Sequence, residues 1–184
     1  VSQPGSALVF SPANGPVEEP VTKLGGQPVW LAEPQWPLSR TSGEPMEFIG
    51  QFALDGGRLA YLFMTGPDQH PAGSWNAESG ENALLIQPGG RVPGFLTVRA
   101  QAEGPSAGAD HLPHVSTGRG VAVLGGPGVE PDWIQGEEYP GDDWQLVVQL
   151  TDNLPFYVNF GDCGYGYAFV SPDGRDGRFL WQCS

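Results

Sequence analysis

The chain has 184 residues, enough for one domain with a sizeable core. Its 28 glycines and 19 prolines approach the composition of disordered chains, but 11% aromatic residues and several apolar runs argue instead for an all-β fold rich in turns. Eight Lys and Arg against 21 Asp and Glu leave a net charge of −13, which disfavours nucleic acid and anionic membranes and suits a basic protein partner.

No apolar run reaches membrane-spanning length and no secretory signal pattern is present. Two cysteines and the absence of an Asn-x-Ser/Thr sequon lead to the expectation of a cytoplasmic protein. The chain opens at Val1 without a Met, so its original start is expected to have been removed.

In chain order, residues 1–22 are rich in Pro, Gly and Ser, with one apolar run at Ala7 to Phe10, and are expected to form an edge strand and loop. A first half spans 23–100. Gly25-Gly26 supplies a turn of positive φ, and Trp30 and Trp36 flank a Pro-rich loop. In Met46 to Leu54, Phe48, Gly50 and Phe52 share one face while Ile49, Gln51 and Ala53 share the other. Asp55-Gly56-Gly57 is a hairpin turn, and Leu59 to Met64, apolar on both faces, belongs centrally in a sheet. Thr65 to Gly80 is polar apart from Trp75. Ala83 to Gln87 is a short strand stopped by Pro88-Gly89-Gly90, and Phe95 to Arg99 alternates like a strand with one exposed face. Residues 101–120 read as the longest loop and hold two of the three histidines.

The second half, 121–184, repeats the order of the first. Leu124-Gly125-Gly126 matches Leu24-Gly25-Gly26, Trp133-Ile134 matches Trp30-Leu31, and Tyr139-Pro140 matches Trp36-Pro37. Trp144-Gln-Leu-Val-Val-Gln149-Leu150 matches Met46-Glu-Phe-Ile-Gly-Gln51-Phe52, and Tyr165 to Val170 takes the place of Leu59 to Met64. A closing hairpin turns at Ser171-Pro172-Asp173-Gly174 before Arg178 to Cys183. A repeated unit that cannot bury its own face packs on its copy, so the expectation is a single internally duplicated β-domain of about nine strands, two pseudo-equivalent halves packed together. No long 3.6-residue apolar period is present, so helices should be few and short.

Lys23-Leu-Gly-Gly-Gln-Pro-Val-Trp30, Pro45-Met-Glu-Phe-Ile-Gly-Gln51, Asn159-Phe-Gly-Asp-Cys-Gly164 and Trp181-Gln-Cys183 resemble the YwqG-like family, a bacterial domain family of unknown function. The likeness runs from about Pro20 to the C-terminus. The first half is also similar to the Gly-Gly-x-Pro-x-Trp…Pro-x-x-Phe pattern of the programmed-cell-death-protein-two family, without the cysteine pairs that family places between those blocks. The resemblance implies a β-rich, internally duplicated fold and no particular reaction. It further implies protein-binding work, either immunity beside a bacterial toxin or chaperoning of a basic client.

The most functional-looking stretch is Glu130 to Asp152. It holds Glu130, Asp132, Glu137, Glu138, Asp142, Asp143 and Asp152 with no Lys or Arg among them, and Trp133, Tyr139 and Trp144 are interleaved. Carboxylates attract a cation from a distance and aromatic rings anchor interfaces, so Trp133, Glu137, Glu138, Tyr139, Asp142, Asp143 and Trp144 form the candidate partner-binding set. The structural alternative is a solvated acidic loop over core tryptophans. The acids lack the one-three-five spacing of a calcium loop.

Gln51, Gln149 and Asp162 form a candidate ligand cleft. Alternatively, the two amides tie strands to loop backbone, and Asp162 bonds amide hydrogens in its own turn. His111 and His114 with Asp110, joined by His70, suggest a metal, but the intervening Leu112-Pro113 is a poor helix and surface histidines are expected instead. Cys163 and Cys183 could meet across the last hairpin, and free thiols are favoured. Trp36-Pro37 and Tyr139-Pro140 are candidates for cis bonds. No nucleophile elbow or phosphate cradle is present, and no cofactor or metal is expected.

The expected function is therefore non-catalytic protein binding by a monomer that meets a basic partner, either a toxin or a client. One alternative is a hydrolase-like enzyme pairing Asp162 with a histidine or Glu78 between the halves. Another is a binder of carbohydrate or small ligands through Trp30, Trp36 or Trp75.

Overall fold

The computed structural model describes residues 2–69 and 73–184; His70, suggested above as a metal ligand, lies outside the described residues. The chain forms β1 (Ala7–Pro12), β2 (Lys23–Leu24), β3 (Trp36–Leu38), β4 (Glu47–Leu54), β5 (Arg58–Met64), β6 (Asn82–Gln87), β7 (Thr97–Arg99), β8 (His111–Val115), β9 (Ala122–Leu124), β10 (Gln145–Thr151), β11 (Tyr165–Val170) and β12 (Gly177–Gln182). A 3-10 turn at Pro67–Gln69 is the one helical element among the described residues. No helix among them is long and apolar enough to cross a membrane.

Ten strands make one sheet in the order β12-β11-β10-β9-β1-β8-β2-β4-β5-β6, and β3 pairs with β7 in a second. The outer strands β6 and β12 pack against each other, so the large sheet nearly closes into a barrel. The approach is close enough to require Gly177, where a Cβ would fall 2.2 Å from the Leu84 carbonyl oxygen.

The interior is filled by alternate residues such as Phe52, Leu62, Leu84, Val148, Leu150, Ala168 and Phe179. The outer faces are covered too. Phe48, Leu59, Tyr61, Phe63 and Leu85 pack under the first Trp loop, and Leu146, Tyr167, Phe169 and Leu180 under the second. Strands buried on both faces read as unbroken apolar runs, which is why Leu59 to Met64 shows no alternation.

Four expectations are corrected. The described residues form twelve strands, not nine, because the additional ones are mostly two to five residues long and carry no periodic signal. Residues 1–22 do not form an edge: β1 sits mid-sheet, antiparallel to both β8 and β9. Residues 101–120 are not one loop, since β8 lies inside them with Val9 opposite His114. Neither Trp36-Pro37 nor Tyr139-Pro140 is cis; Gln87-Pro88 is the one cis bond among the described residues.

Read outward from its middle, the sheet runs β8-β2-β4-β5-β6 one way and β1-β9-β10-β11-β12 the other. The registers agree along the way. Gln51 faces Lys23 and Tyr61, and Gln149 faces Val123 and Tyr167. Tyr61 faces Leu85, and Tyr167 faces Leu180. The register shifts between Phe48 and Gly50 on β4 and between Leu146 and Val148 on β10.

Candidate functional site

Each Trp loop is fastened to the strands beneath it by two glutamines and a tyrosine. In the first half, Val29 N–H donates to Gln51 Oε1 (3.0 Å), while Leu31 and Ala32 N–H donate to Gln87 Oε1 (3.1 and 3.0 Å). Tyr61 hydroxyl donates to the Val29 carbonyl (2.7 Å). In the second half, Asp132 N–H donates to Gln149 Oε1 (2.8 Å), and Ile134 and Gln135 N–H donate to Gln182 Oε1 (2.9 Å each). Tyr167 hydroxyl donates to the Asp132 carbonyl (2.7 Å). Burial raises both tyrosines' pKa values, Tyr61's to about 12, against a smaller lowering by the backbone N–H groups of Leu31 and Ile134.

Gln51 and Gln149 therefore do not line a ligand cleft. They are buried among apolar neighbours, and their amide oxygens are occupied by loop N–H groups that would otherwise be left unpaired. Gln87 and Gln182 do the same work and were missed by the sequence reading. Their signal is a glutamine that closes a strand just after an apolar run in both halves.

The rings follow the loops. Trp30 packs on Tyr61 (5.0 Å between centroids) and Phe63 (6.2 Å); Trp133 packs on Tyr167 (4.7 Å) and Phe169 (5.8 Å). Trp133 is thus a packing residue and does not line the groove described next. Trp36 is fully buried, whereas Tyr139, in the matching place, is only half-buried.

The second half carries an open groove of about 760 Å³. Glu130, Glu137, Asp142 and Asp143 line it together with the half-buried Tyr139 and Trp144. Among the described residues, none of these four carboxylates forms an ion pair. Tyr139 hydroxyl donates to Glu130 (2.5 Å). Burial first, then that bond and the charges of Glu130 and Glu137, push the phenol up to about 12. Arg178, beside the groove, is engaged: it lies over Trp144 (5.4 Å) and Phe95 (5.0 Å) and donates to Glu78 (3.2 Å).

Two acids of the segment stand apart from this groove. Glu138 accepts from Gln182 Nε2 (2.9 Å) and lines a neighbouring pocket of about 390 Å³ beside Trp75 and Leu180. Asp152 follows the far end of β10, roughly 25 Å along the strand from Trp144.

The remaining candidates do not come together. Asp162 sits in an exposed turn whose carbonyl accepts from Ser184 N–H (3.2 Å) and hydroxyl (3.1 Å). His111 bonds the Ala109 carbonyl (2.7 Å), His114 bonds Ser11 (2.6 Å), and Asp110 is paired with buried Lys23. No group of three or more His, Cys, Asp or Glu among the described residues could hold a metal ion. Cys163 and Cys183 are both free thiols. Trp75 is 52% exposed, while Trp36 is sealed in the core and unable to meet a sugar.

A first-half groove of about 560 Å³ beside Trp30 is lined by Pro16, Val17 and Pro28 together with Glu18, Glu103 and Asp110, of which Asp110 is neutralised by Lys23. A cavity of about 20 Å³ beside Glu47 has room for a single water. No protein-family model matches the chain, and no curated protein matches it in sequence.

Proposed function

We propose that the chain is a non-catalytic protein-binding module whose acidic-aromatic groove receives the cationic side chains of a basic protein partner. The observation that carries this reading is the convergence of Glu130, Glu137, Asp142 and Asp143 on one open groove with Tyr139 and Trp144, none of the four being ion-paired among the described residues. Four carboxylates in a concave site raise the local concentration of a cation and speed encounter. The Tyr139 ring then adds a cation–π contact of about 0.5–2 kcal/mol once water is displaced, the Trp144 ring already meeting Arg178.

Membership of the YwqG-like family, with a toxin-immunity or chaperone-like role, belongs to the same proposal and is supported by the motif likeness of Lys23 to Trp30 and Asn159 to Gly164. So does internal duplication, supported by the matched registers, matched glutamine anchors and matched ring stacks of the two halves. The protein acts as a monomer in the cytoplasm, a setting that suits two free thiols.

The test is titration calorimetry with a hexa-arginine peptide at low and high salt. The native chain binds, with affinity falling as salt rises. The triple variant Glu137→Gln, Asp142→Asn, Asp143→Asn keeps the side-chain shapes and loses most of that affinity. Equal binding by the variant would place cation recognition elsewhere.

A further inference from the structure

In the first half the outer face of the Trp loop carries an added strand. β7 pairs antiparallel with β3 through Trp36 opposite Arg99, Pro37 opposite Val98 and Leu38 opposite Thr97. Leu96 and Val98 pack onto the cluster of Trp36, Tyr61, Phe63 and Leu85, and Trp36 is left with 0% exposure. Strand pairing and apolar cover arrive together.

The second half has the matching segment without the added strand, and there Pro140 and Gly141 lie in a bend with their main-chain groups unpaired among the described residues. Trp133 lies on Tyr167 and Phe169 as Trp30 lies on Tyr61 and Phe63, and Tyr139 lies on Phe169 (5.4 Å) as Trp36 lies on Phe63 (5.2 Å). These superposed contacts make Tyr139, Pro140 and Gly141 the counterparts of Trp36, Pro37 and Leu38. Among the described residues no strand pairs with Tyr139 to Gly141, and no hydrogen bond of the chain uses the backbone N–H or C=O groups of these residues. An edge of this kind is a template for an incoming strand.

The space beside it fits the same occupant. The pocket of about 390 Å³ adjoining Tyr139 and Pro140 is lined by Leu180 and the exposed Trp75, and by Glu78, Glu138 and Arg178, the last paired with Glu78. Leu180 stands opposite Tyr167 as Leu85 stands opposite Tyr61, so this pocket lies where β7 covers the first half. The edge is bracketed by Glu137 and Glu138 before it and by Asp142 and Asp143 after it. A strand that lies there meets apolar surface with one set of alternate side chains and carboxylates at both ends.

We infer that the Tyr139–Gly141 edge takes an extended segment of the partner protein, alternating apolar and Arg or Lys residues, as an added β-strand in the place that β7 occupies on β3. This mode of recognition draws affinity from main-chain hydrogen bonds and selectivity from pockets for alternate side chains. It rests on the proposal that the acidic groove binds a basic protein and adds to it the conformation and pattern of the bound segment.

The test uses a synthetic peptide, acetyl-Arg-Leu-Arg-Val-Arg-Leu-amide, and two relatives. One is N-methylated at alternate backbone nitrogens, which removes hydrogen-bond donors and leaves the charge intact. The other has glycine in place of Leu and Val. Binding is followed by calorimetry and by amide hydrogen exchange at Tyr139 and Gly141. The parent peptide should bind and slow exchange at both amides, and each relative should bind about ten-fold more weakly, the loss of one or two main-chain bonds or of the apolar contact.

If both relatives bind as tightly as the parent, exchange at Tyr139 and Gly141 is unchanged, and the triple neutralised variant still abolishes binding, strand addition is overturned while the acidic groove stands. If N-methylation weakens binding but the triple variant binds normally, strand addition is supported and the charge reading falls. Failure of all three peptides to bind overturns both.

Discussion

Gln182 repeats for the Trp133 loop what Gln87 does for the Trp30 loop: one amide oxygen accepts two successive backbone N–H groups, and the amide nitrogen donates back to a loop carbonyl and to the side chain of the residue before the next loop's anchor ring. For Gln87 those donor partners are the Glu33 carbonyl and Gln35; for Gln182 they are the Gly136 carbonyl and Glu138. The acidic segment is therefore held by a buried amide on the last strand.

Replacing that amide should loosen the segment. Gln182→Leu leaves the Ile134 and Gln135 N–H groups without their acceptor and should cost about 1–3 kcal/mol in urea unfolding. Amide exchange should accelerate through residues 134–139 and little elsewhere. A uniform acceleration across the chain would mean that Gln182 serves global packing alone.

Lys23 is the chain's one lysine and is fully buried against Asp110, the Val17 and Gln27 carbonyls and the face of Phe48. Lys23→Met strands the Asp110 carboxylate and should destabilise the fold by about 3–5 kcal/mol. The double variant Lys23→Met, Asp110→Leu should recover much of that loss. Thermal unfolding of the three chains distinguishes a lost pair from an orphaned charge.

Tyr139 offers a spectroscopic handle on the groove. Its pKa, about 12, lies above the ordinary value of 10, so its contribution to stability is complete below pH 10 and is lost as pH rises through 12. Glu130→Gln removes a charge and weakens the bond to the hydroxyl. Absorbance titration of the phenolate should show a lower midpoint in that variant, with burial keeping it above 10.

Glu47 is raised above its ordinary 4.5, chiefly by burial and secondarily by Asp68. An acid with a raised folded pKa favours folding only while it is protonated, so this group lowers stability as pH climbs past 4.5. Glu47→Gln should be more stable than the native chain at pH 7 and equal to it below about pH 4. A crossing of the two stability curves in the opposite sense would contradict the assignment.

Much of this was legible in the residues. Leu59 to Met64 announced a strand buried on both faces, Asp55-Gly56-Gly57 its hairpin, and the matched Gln51 and Gln149 the loop anchors they prove to be under the second of their two readings. The short strands were not legible. β8 contains Pro113 and two histidines, and only its pairing with β1 makes it a strand, which in turn moves β1 from an edge to the middle. Within the acidic segment, charge and aromatic content were plain but direction was not. Trp133 turns inward onto Tyr167, and Glu138 is drawn to Gln182, 44 residues further on. Neither could be read without the partner strand. Asp162, expected to line a cleft with Gln51 and Gln149, instead lies exposed beside Ser184.

The most direct test of the groove is a map of backbone amide shifts in the native chain as hexa-arginine is added. Shifts should saturate and cluster at Glu130 and from Glu137 to Gln145, and should disappear at high salt. Shifts spread evenly over the acidic surface, or gathered around Pro16 to Trp30, would contradict the groove assignment.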